Sequence, residues 1–123
     1  MLFRMPALKT ARRKRVASPN DPSLLIMTSL ASGPKHGYGL FQDIESFAGQ
    51  RLGPGTLYGA IARLEERGLI EAMTPEGRTR PYRLTTAGEQ SLQSTLQEMR
   101  SVVETATVRL AQRPGPASTA RLA

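Results

Sequence analysis

Apolar residues recur at helical spacing in the first half of the chain and predict two short helices there. The first begins at Asp21-Pro22, where an oxygen cap precedes proline at the first helical position, and it stops at Ser32-Gly33-Pro34. The second covers residues 36–49, HGYGLFQDIESFAG, with Gly49 as its left-handed terminator. Its apolar face consists of Leu40, Phe41, Ile44, Phe47 and Ala48.

A third helix is predicted from about Pro54 to Arg67, and its outer face is unusually small. The apolar stripe of this helix consists of Leu57, Ala60, Ile61 and Leu64. The opposite face carries Gly55, Gly59 and Ala62. Glycine in a helix costs about 1 kcal/mol relative to alanine, so this face predicts the close approach of a large object. A DNA duplex and a second, tightly packed helix are the two alternatives.

Strand-like alternation follows the third helix. LIEAMT (69–74) and YRLT (82–85) flank a polar, turn-like segment and predict a two-stranded hairpin. Its tip is basic, with Arg78 and Arg80. Pro81 suits an edge strand or the first residue of a strand.

A long fourth helix is predicted after the hairpin, capped by Thr85 or Thr86. Thr86 with Glu89 fits the spacing of a capping box. Apolar residues then follow a 4-3-4-3-4 spacing, which is typical of a coiled-coil seam. The seam consists of Leu92, Leu96, Met99, Val103, Ala106 and Leu110. It predicts a homodimer, and the alternative is that Leu92 to Leu110 packs on the first helix within the chain. The upstream part can do both, because Val102 widens the apolar stripe.

The order of these elements predicts a mainly α fold with a small β-hairpin: a winged helix-turn-helix followed by a long C-terminal dimerisation helix. We assign a flexible basic arm to residues 1–21 and the winged helix-turn-helix to residues 22–85. Residues 86–112 form the dimerisation helix, and residues 113–123 form a flexible tail.

The charge of the chain is concentrated at its N-terminus. The net charge is +7, and residues 1–20 hold six basic residues and no acid. The densest run is Arg12, Arg13, Lys14 and Arg15. Such a run indicates an arm that binds DNA phosphates non-specifically, with a solvated tail as the alternative.

Several classes of function find no support in the residues. There is no cysteine, and His36 is the one histidine, so neither a metal cluster nor histidine-based catalysis is expected. His36 is better interpreted as a turn residue with a structural hydrogen bond. We find no nucleophile–base pair or phosphate loop and predict a protein without enzymatic activity or cofactor. The longest apolar run, residues 23–31, is shorter than the roughly 20 residues of a membrane span, so a cytoplasmic, nucleoid-associated protein is expected.

DNA contacts are predicted at the start of the third helix and at the hairpin tip. Pro54 and Gly55 open a helix whose free N–H groups can face a phosphate. Thr56, Tyr58 and Arg63 offer a hydroxyl, a phenol and a guanidinium to phosphate, sugar or base. The full set of candidates is Tyr38, Pro54, Gly55, Thr56, Tyr58, Gly59, Arg63, Arg78 and Arg80.

Three segments resemble the PadR family of bacterial transcriptional regulators. They are GPKHGYGLFQDIE, RLGPGTLYGAIARLEERGLIE and GRTRPYRLTTAG, in the order and spacing of the family pattern. The resemblance covers about residues 22–112 and implies DNA contacts from the recognition helix and the wing, with a terminal helix that pairs two protomers. Gly53 departs from the pattern, because the family usually has serine there. The single helix after the wing resembles the compact branch of the family.

The function expected from these features is a ligand-responsive repressor that binds double-stranded DNA as a dimer on a palindromic promoter site. The resemblance implies a lipophilic or aromatic effector between the long helices, although the chain has no tryptophan to stack on it. Candidate lining residues are Met27, Phe47 and Met99. The alternative is a winged-helix module that binds another protein and does not bind DNA specifically.

Overall fold

The computed structural model describes residues 18–114, which form four helices and a small sheet. The helices are α1 (Pro22–Leu30), α2 (Gly37–Ala48), α3 (Pro54–Glu66) and α4 (Thr86–Gln112). The strands are β1 (Lys35–His36), β2 (Ile70–Ala72) and β3 (Pro81–Leu84). The mainly α architecture with a wing is therefore confirmed, while the arm of residues 1–17 and the end of the tail lie outside the described residues.

The sheet differs from the predicted hairpin because it has three antiparallel strands in the order β1-β3-β2. Lys35 pairs with Tyr82 and His36 pairs with Pro81, so β3 is the central strand. Pro81 is thus the first residue of a strand but does not lie on an edge strand. A two-residue strand shows no periodicity, which is why the alternation pattern missed β1.

Individual residues begin and end the first two helices close to the predicted positions. The Asp21 carboxylate accepts a hydrogen bond from the Leu24 amide at 3.1 Å and caps α1. The His36 ring caps α2, with Nδ1 accepting from the Gly39 amide at 3.4 Å. Gly49 ends α2 with φ 64°, in the left-handed region that favours glycine.

The cap of α4 is Thr85, and the capping box predicted from Thr86 and Glu89 is wrong. The Thr85 hydroxyl accepts from the Gly88 amide at 3.0 Å and donates to the Gly68 carbonyl at 2.7 Å. The Thr85 amide donates to the Leu69 carbonyl at 3.1 Å. One residue therefore caps α4 and fastens it to the segment that ends α3.

The core lies where α1, α2 and α3 meet beneath the sheet. The α3 stripe is buried as predicted, and α1 contributes apolar side chains from most of its circumference. The buried apolar residues are Leu24, Leu25, Ile26, Met27, Leu30, Leu40, Ile44, Leu52, Leu57, Ala60, Ile61, Leu64, Leu69, Ile70 and Leu92.

One polar group is buried with this core and has its hydrogen bonds satisfied. Ser29 is 1% exposed, and its hydroxyl donates to the Asp43 carboxylate at 2.6 Å. The Lys35 ammonium donates to the Ser29 carbonyl at 2.5 Å. This network ties the end of α1 to α2 and to β1.

Gly88 is expected to be intolerant of alanine. A Cβ at this position would collide with the backbone carbonyl oxygen of Leu69 and press on the Leu84 side chain. We expect Gly88→Ala to lower the free energy of unfolding by roughly 1–3 kcal/mol, because a backbone oxygen cannot move aside cheaply. Urea denaturation measures this, with Gly59→Ala as the matched helical control. An unchanged midpoint for Gly88→Ala would contradict the close approach.

Candidate nucleic-acid interface

The N-terminus of α3 is open. Gly53 is its N-cap and makes no side-chain hydrogen bond, as expected from the missing serine. The first bond of the helix runs from the Leu57 amide to the Gly53 carbonyl at 2.9 Å. The N–H groups of Gly55 and Thr56 lie ahead of that bond, and Pro54 has none. Helix N–H groups in this position point toward an anion.

On the small face of α3, Gly55 is exposed and Gly59 is half-buried, and no other helix or strand of the described chain covers this face. A Cβ at Gly55 would meet nothing within 4 Å. A Cβ at Gly59 would meet only the guanidinium of Arg63, at the ordinary contact distance of 3.6 Å. Ala62 is exposed as well. Packing within residues 18–114 therefore gives no reason for these glycines, and tight packing on another helix of the same chain does not account for them.

Arg63 bends back along α3 toward the helix start. Its Nη1 atom lies beside the Cα of Gly59, one turn earlier, because glycine leaves that surface clear. The guanidinium thus lies on the exposed face between the two halves of the helix. A cation in this place can meet a phosphate or the acceptor edge of guanine.

Tyr58 joins α3 to the start of α2. A Cβ on Gly37 would collide with the Tyr58 phenol, so the ring rests directly on the Gly37 backbone. Tyr58 is nevertheless 52% exposed, since its other side faces solvent. The sequence marked Gly37 only as part of the family motif, because nothing local reveals which side chain covers it.

An apolar hollow lies beside this contact, between the first turns of α2 and α3. It has a volume of about 210 Å³ and is lined by Gly37, Tyr38, Phe41, Pro54, Leu57 and Tyr58. Tyr38 is 63% exposed, and its hydroxyl accepts from the Gln42 side-chain amide at 3.2 Å. The structure thus brings together three of the predicted DNA-binding residues, Tyr38, Pro54 and Tyr58.

The basic residues of the wing lie at a tight turn. The Glu76 and Thr79 backbones exchange hydrogen bonds at 2.7 and 3.0 Å, and Gly77 takes φ 63°. Arg78 and Arg80 are exposed in this turn and just after it. Among residues 18–114 the ion pairs are Arg51 with Glu45 and Arg83 with Glu71. Neither pair engages the two arginines of the tip.

Tyr82, in the central strand of the sheet, has a phenol whose pKa is raised, which sequence reasoning missed. Burial raises the pKa of the Tyr82 phenol, and the nearby Glu65 carboxylate raises it further. The Arg80 guanidinium lowers that pKa, and the Tyr58 phenol raises it slightly. The wing arginine, the central strand and the recognition helix are therefore electrostatic neighbours.

The predicted dimer seam is divided between the core and the surface. Leu92 is 7% exposed and belongs to the core, and Met99 is half-buried against it. Leu96, Val103, Ala106 and Leu110 are exposed. The upstream end of the seam thus packs within the chain, as the alternative allowed, and the downstream end does not.

A larger groove of about 490 Å³ lies beside the upstream half of α4. Its apolar walls come from Leu30, Pro34, Leu84, Leu92 and Leu96, with Arg83 and Glu89 at its polar edge. The suggested effector-lining residues lie elsewhere: Met27 is buried in the core and Phe47 is exposed near the end of α2.

The described residues show no other kind of site. Within residues 18–114, no group of acidic or histidine side chains is placed to hold a metal ion. In the same part of the chain, no helix has the length and apolarity to cross a bilayer. A small exposed helix face with an open N-terminus, beside a basic wing, defines the class of winged-helix DNA-binding proteins.

Comparison with known proteins identifies the family within this class. The model of the transcriptional regulator PadR-like family matches residues 26–94. The chain therefore belongs to the PadR-like family, whose members are DNA-binding transcriptional regulators.

The chain is also similar to individual proteins and solved structures. A transcriptional regulator from Clostridium thermocellum is 26% identical, with a TM-score of 0.62 over 69% of this chain and 88% of that one. A PadR family transcription regulator from Clostridium difficile is 24% identical, with a TM-score of 0.63 over 72% of this chain and 97% of that one, a likeness of fold alone. An uncharacterized 37.1 kDa protein of transposon Tn4556 from Streptomyces fradiae is 49% identical over 74 residues, 60% of this chain. The chain spans 21% of the length of that protein.

Gly59→Ala is expected to separate folding from DNA binding. Because its added methyl meets only the end of the Arg63 side chain at ordinary contact distance, the substitution should raise the free energy of unfolding by roughly 0.5–1 kcal/mol. The same methyl would stand between α3 and a duplex, where one extra methyl costs roughly 1–3 kcal/mol of affinity. Urea denaturation and gel-shift titration measure the two effects. A variant that is more stable and binds DNA equally well would contradict the interface.

Proposed function

We propose that the chain is a promoter-binding repressor that acts as a homodimer, with α3 of each copy in a major groove of a palindromic site. The observation that carries this proposal is the outer face of α3. Gly55 is exposed and Gly59 is half-buried, the described chain offers no packing reason for either, and the helix start carries no side-chain cap. A duplex that approaches the backbone closely accounts for all three features.

The proposed contacts have two roles: some position the protein on the DNA backbone, and others recognise bases. The amides of Gly55 and Thr56 and the side chains of Arg78 and Arg80 bind phosphates, which fixes the register of the protein on DNA. Arg63 reads guanine from the exposed face of α3. The remaining contacts come from the rim of the hollow and the glycine face, that is, from Tyr38, Pro54, Tyr58 and Gly59.

The N-terminal arm adds affinity without specificity in this proposal. Its run of Arg12, Arg13, Lys14 and Arg15 supplies four positive charges within four residues. Charges of this density release counterions from any duplex, whatever its sequence.

The exposed half of the α4 seam supports the homodimer. Val103 and Leu110 are 61% and 62% exposed, although they continue the spacing that Leu96 begins. The helix has 27 residues, which corresponds to about 40 Å at 1.5 Å per residue. A second copy of α4 would cover the apolar stripe and set two recognition helices about one DNA turn apart.

Regulation in this proposal acts through the spacing of the two recognition helices. A lipophilic or aromatic effector that binds against α4 would change the packing of the two copies. The recognition helices would then no longer match successive grooves, and repression would end. We infer a cytoplasmic, nucleoid-associated protein without catalytic activity, and a protein-binding winged helix is the second candidate.

The salt dependence of binding separates the two candidates. We expect affinity for a fragment of the protein's own promoter to fall steeply with salt. Arg78→Ala and Arg80→Ala should each reduce the log–log slope by about 1, because each removes one cation that neutralises a phosphate. Arg100→Ala on α4 is the matched control, since it removes an equal charge outside the wing. Absence of any gel shift at low salt would favour the protein-binding candidate.

The dimer is tested on residues whose replacement does not disturb the monomer core. Val103→Glu with Leu110→Glu places two charges in the seam and should give a monomer by light scattering. Val108→Glu is the matched control, because Val108 is 52% exposed and lies outside the seam spacing. A dimeric mass for the double variant would rule out this seam, and a monomeric control would show that the charge acts in some other way.

A further inference from the structure

The apolar hollow between α2 and α3 lies where a reader of DNA sequence needs polar groups, yet its walls are almost entirely apolar. Pro54, Leu57 and Tyr58 line it from the first turns of α3, and Gly37, Tyr38 and Phe41 line it from α2. Its volume of about 210 Å³ greatly exceeds the roughly 30 Å³ of one liquid water. The hollow therefore has room for a small apolar group.

Contacts within the chain hold the inner walls of the hollow. The Tyr58 ring rests on the Gly37 backbone, and the Pro54 ring has a fixed φ. Leu57 is buried in the core, and Phe41 packs against the core. The Tyr38 ring is the exposed outer wall, and its hydroxyl accepts a hydrogen bond from Gln42. The inner walls cannot close over an absent group, so they discriminate by shape.

The polar side chains of α3 cannot recognise every base pair by paired hydrogen bonds. Asn and Gln recognise adenine through paired hydrogen bonds, and α3 contains neither residue. Gln42 of α2 is engaged with Tyr38. Arg63 suits guanine, which leaves A·T pairs without a paired hydrogen-bond reader on this helix. The remaining major-groove mark of an A·T pair is the C5-methyl group of thymine.

We propose that the hollow formed by Gly37, Tyr38, Phe41, Pro54, Leu57 and Tyr58 receives the C5-methyl group of a thymine in the major groove. It is a specificity site for one A·T pair in each half of the operator. The proposal rests on the proposed DNA-binding function and names one subsite within it. The site is continuous with the open N-terminus of α3, the end of a recognition helix that meets base edges.

The size of the effect follows from the chemistry of one methyl group. Burial of a methyl is worth about fourfold in affinity. Two copies on a palindrome would give about the square of that factor. Replacing thymine by deoxyuridine removes the methyl and leaves every hydrogen-bonding group of the base pair in place.

The experiment uses the full chain and the promoter fragment that it protects in a footprint. Each thymine of the protected region is replaced singly by deoxyuridine, and dissociation constants are measured by fluorescence anisotropy. We expect one position in each half-site to lose about fourfold, and the other thymines to be nearly neutral. At that position 5-methylcytosine should bind about fourfold better than cytosine.

A protein–DNA double-mutant cycle assigns the methyl to the hollow. Tyr38 is 63% exposed, so Tyr38→Ala removes one wall without opening the core. In this variant the deoxyuridine effect should shrink to nearly one, because the methyl has lost its wall. Phe47→Ala is the matched control, since it removes an exposed aromatic ring near the other end of α2 and should keep the fourfold effect.

Three results would overturn this subsite and leave the proposed repressor function intact. In the first, no thymine loses affinity when it is replaced by deoxyuridine. In the second, the sensitive thymine keeps its fourfold effect in Tyr38→Ala, and in the third, Tyr38→Ala weakens binding to operator and random DNA equally. The last result would assign the hollow to deoxyribose. Failure to protect any promoter sequence is a separate outcome, because it removes the proposed function together with its subsite.

Discussion

Burial of the α3 stripe against α1 and α2 is the constraint on which the rest of the molecule depends. Leu57, Ile61 and Leu64 are all at most 2% exposed, so α3 cannot rotate about its axis without exposing core surface. Each such side chain contributes roughly 1.5–3 kcal/mol when fully buried. With the inner face fixed in this way, the direction of the outer face is fixed as well. The packing on the opposite side of the helix thus leaves Gly55 exposed and Gly59 half-buried on the outer face.

The wing is joined to this unit more closely than a hairpin would be. β3 is hydrogen-bonded to β1, and His36 of β1 is also the cap of α2. Tyr58 of α3 covers Gly37 at the same helix start. The sheet, the start of α2 and the recognition helix therefore meet at two consecutive residues, His36 and Gly37.

The sequence predicted the features that depend on one or two neighbouring residues, and it missed the contacts between residues that are far apart in the chain. The cap at Asp21, the structural hydrogen bond of His36, the terminator Gly49 and the absent cap at Gly53 are each set by one or two residues, and the structure confirms them. That the His36 bond is the cap of α2 came from the structure. The contact of Tyr58 with Gly37 joins residues 21 positions apart and leaves no trace in any periodicity. The pairing of β1 was missed for the same reason, as was the hollow, whose walls come from two helices. The roles of the individual DNA-contact residues stay predictions.

The anchorage at the start of α4 has a mechanical consequence. Thr85 is bonded to the backbone of Gly68 and Leu69, and Gly88 lies directly against the Leu69 carbonyl, so the start of the long helix is held next to the end of the recognition helix. Leu92 and Met99 hold its first half against the core. The residues after Met99 extend about 20 Å past this last core contact, at 1.5 Å per residue. One continuous helix thus fixes the direction of this free end relative to α3, in the manner of a stiff arm clamped along half of its length.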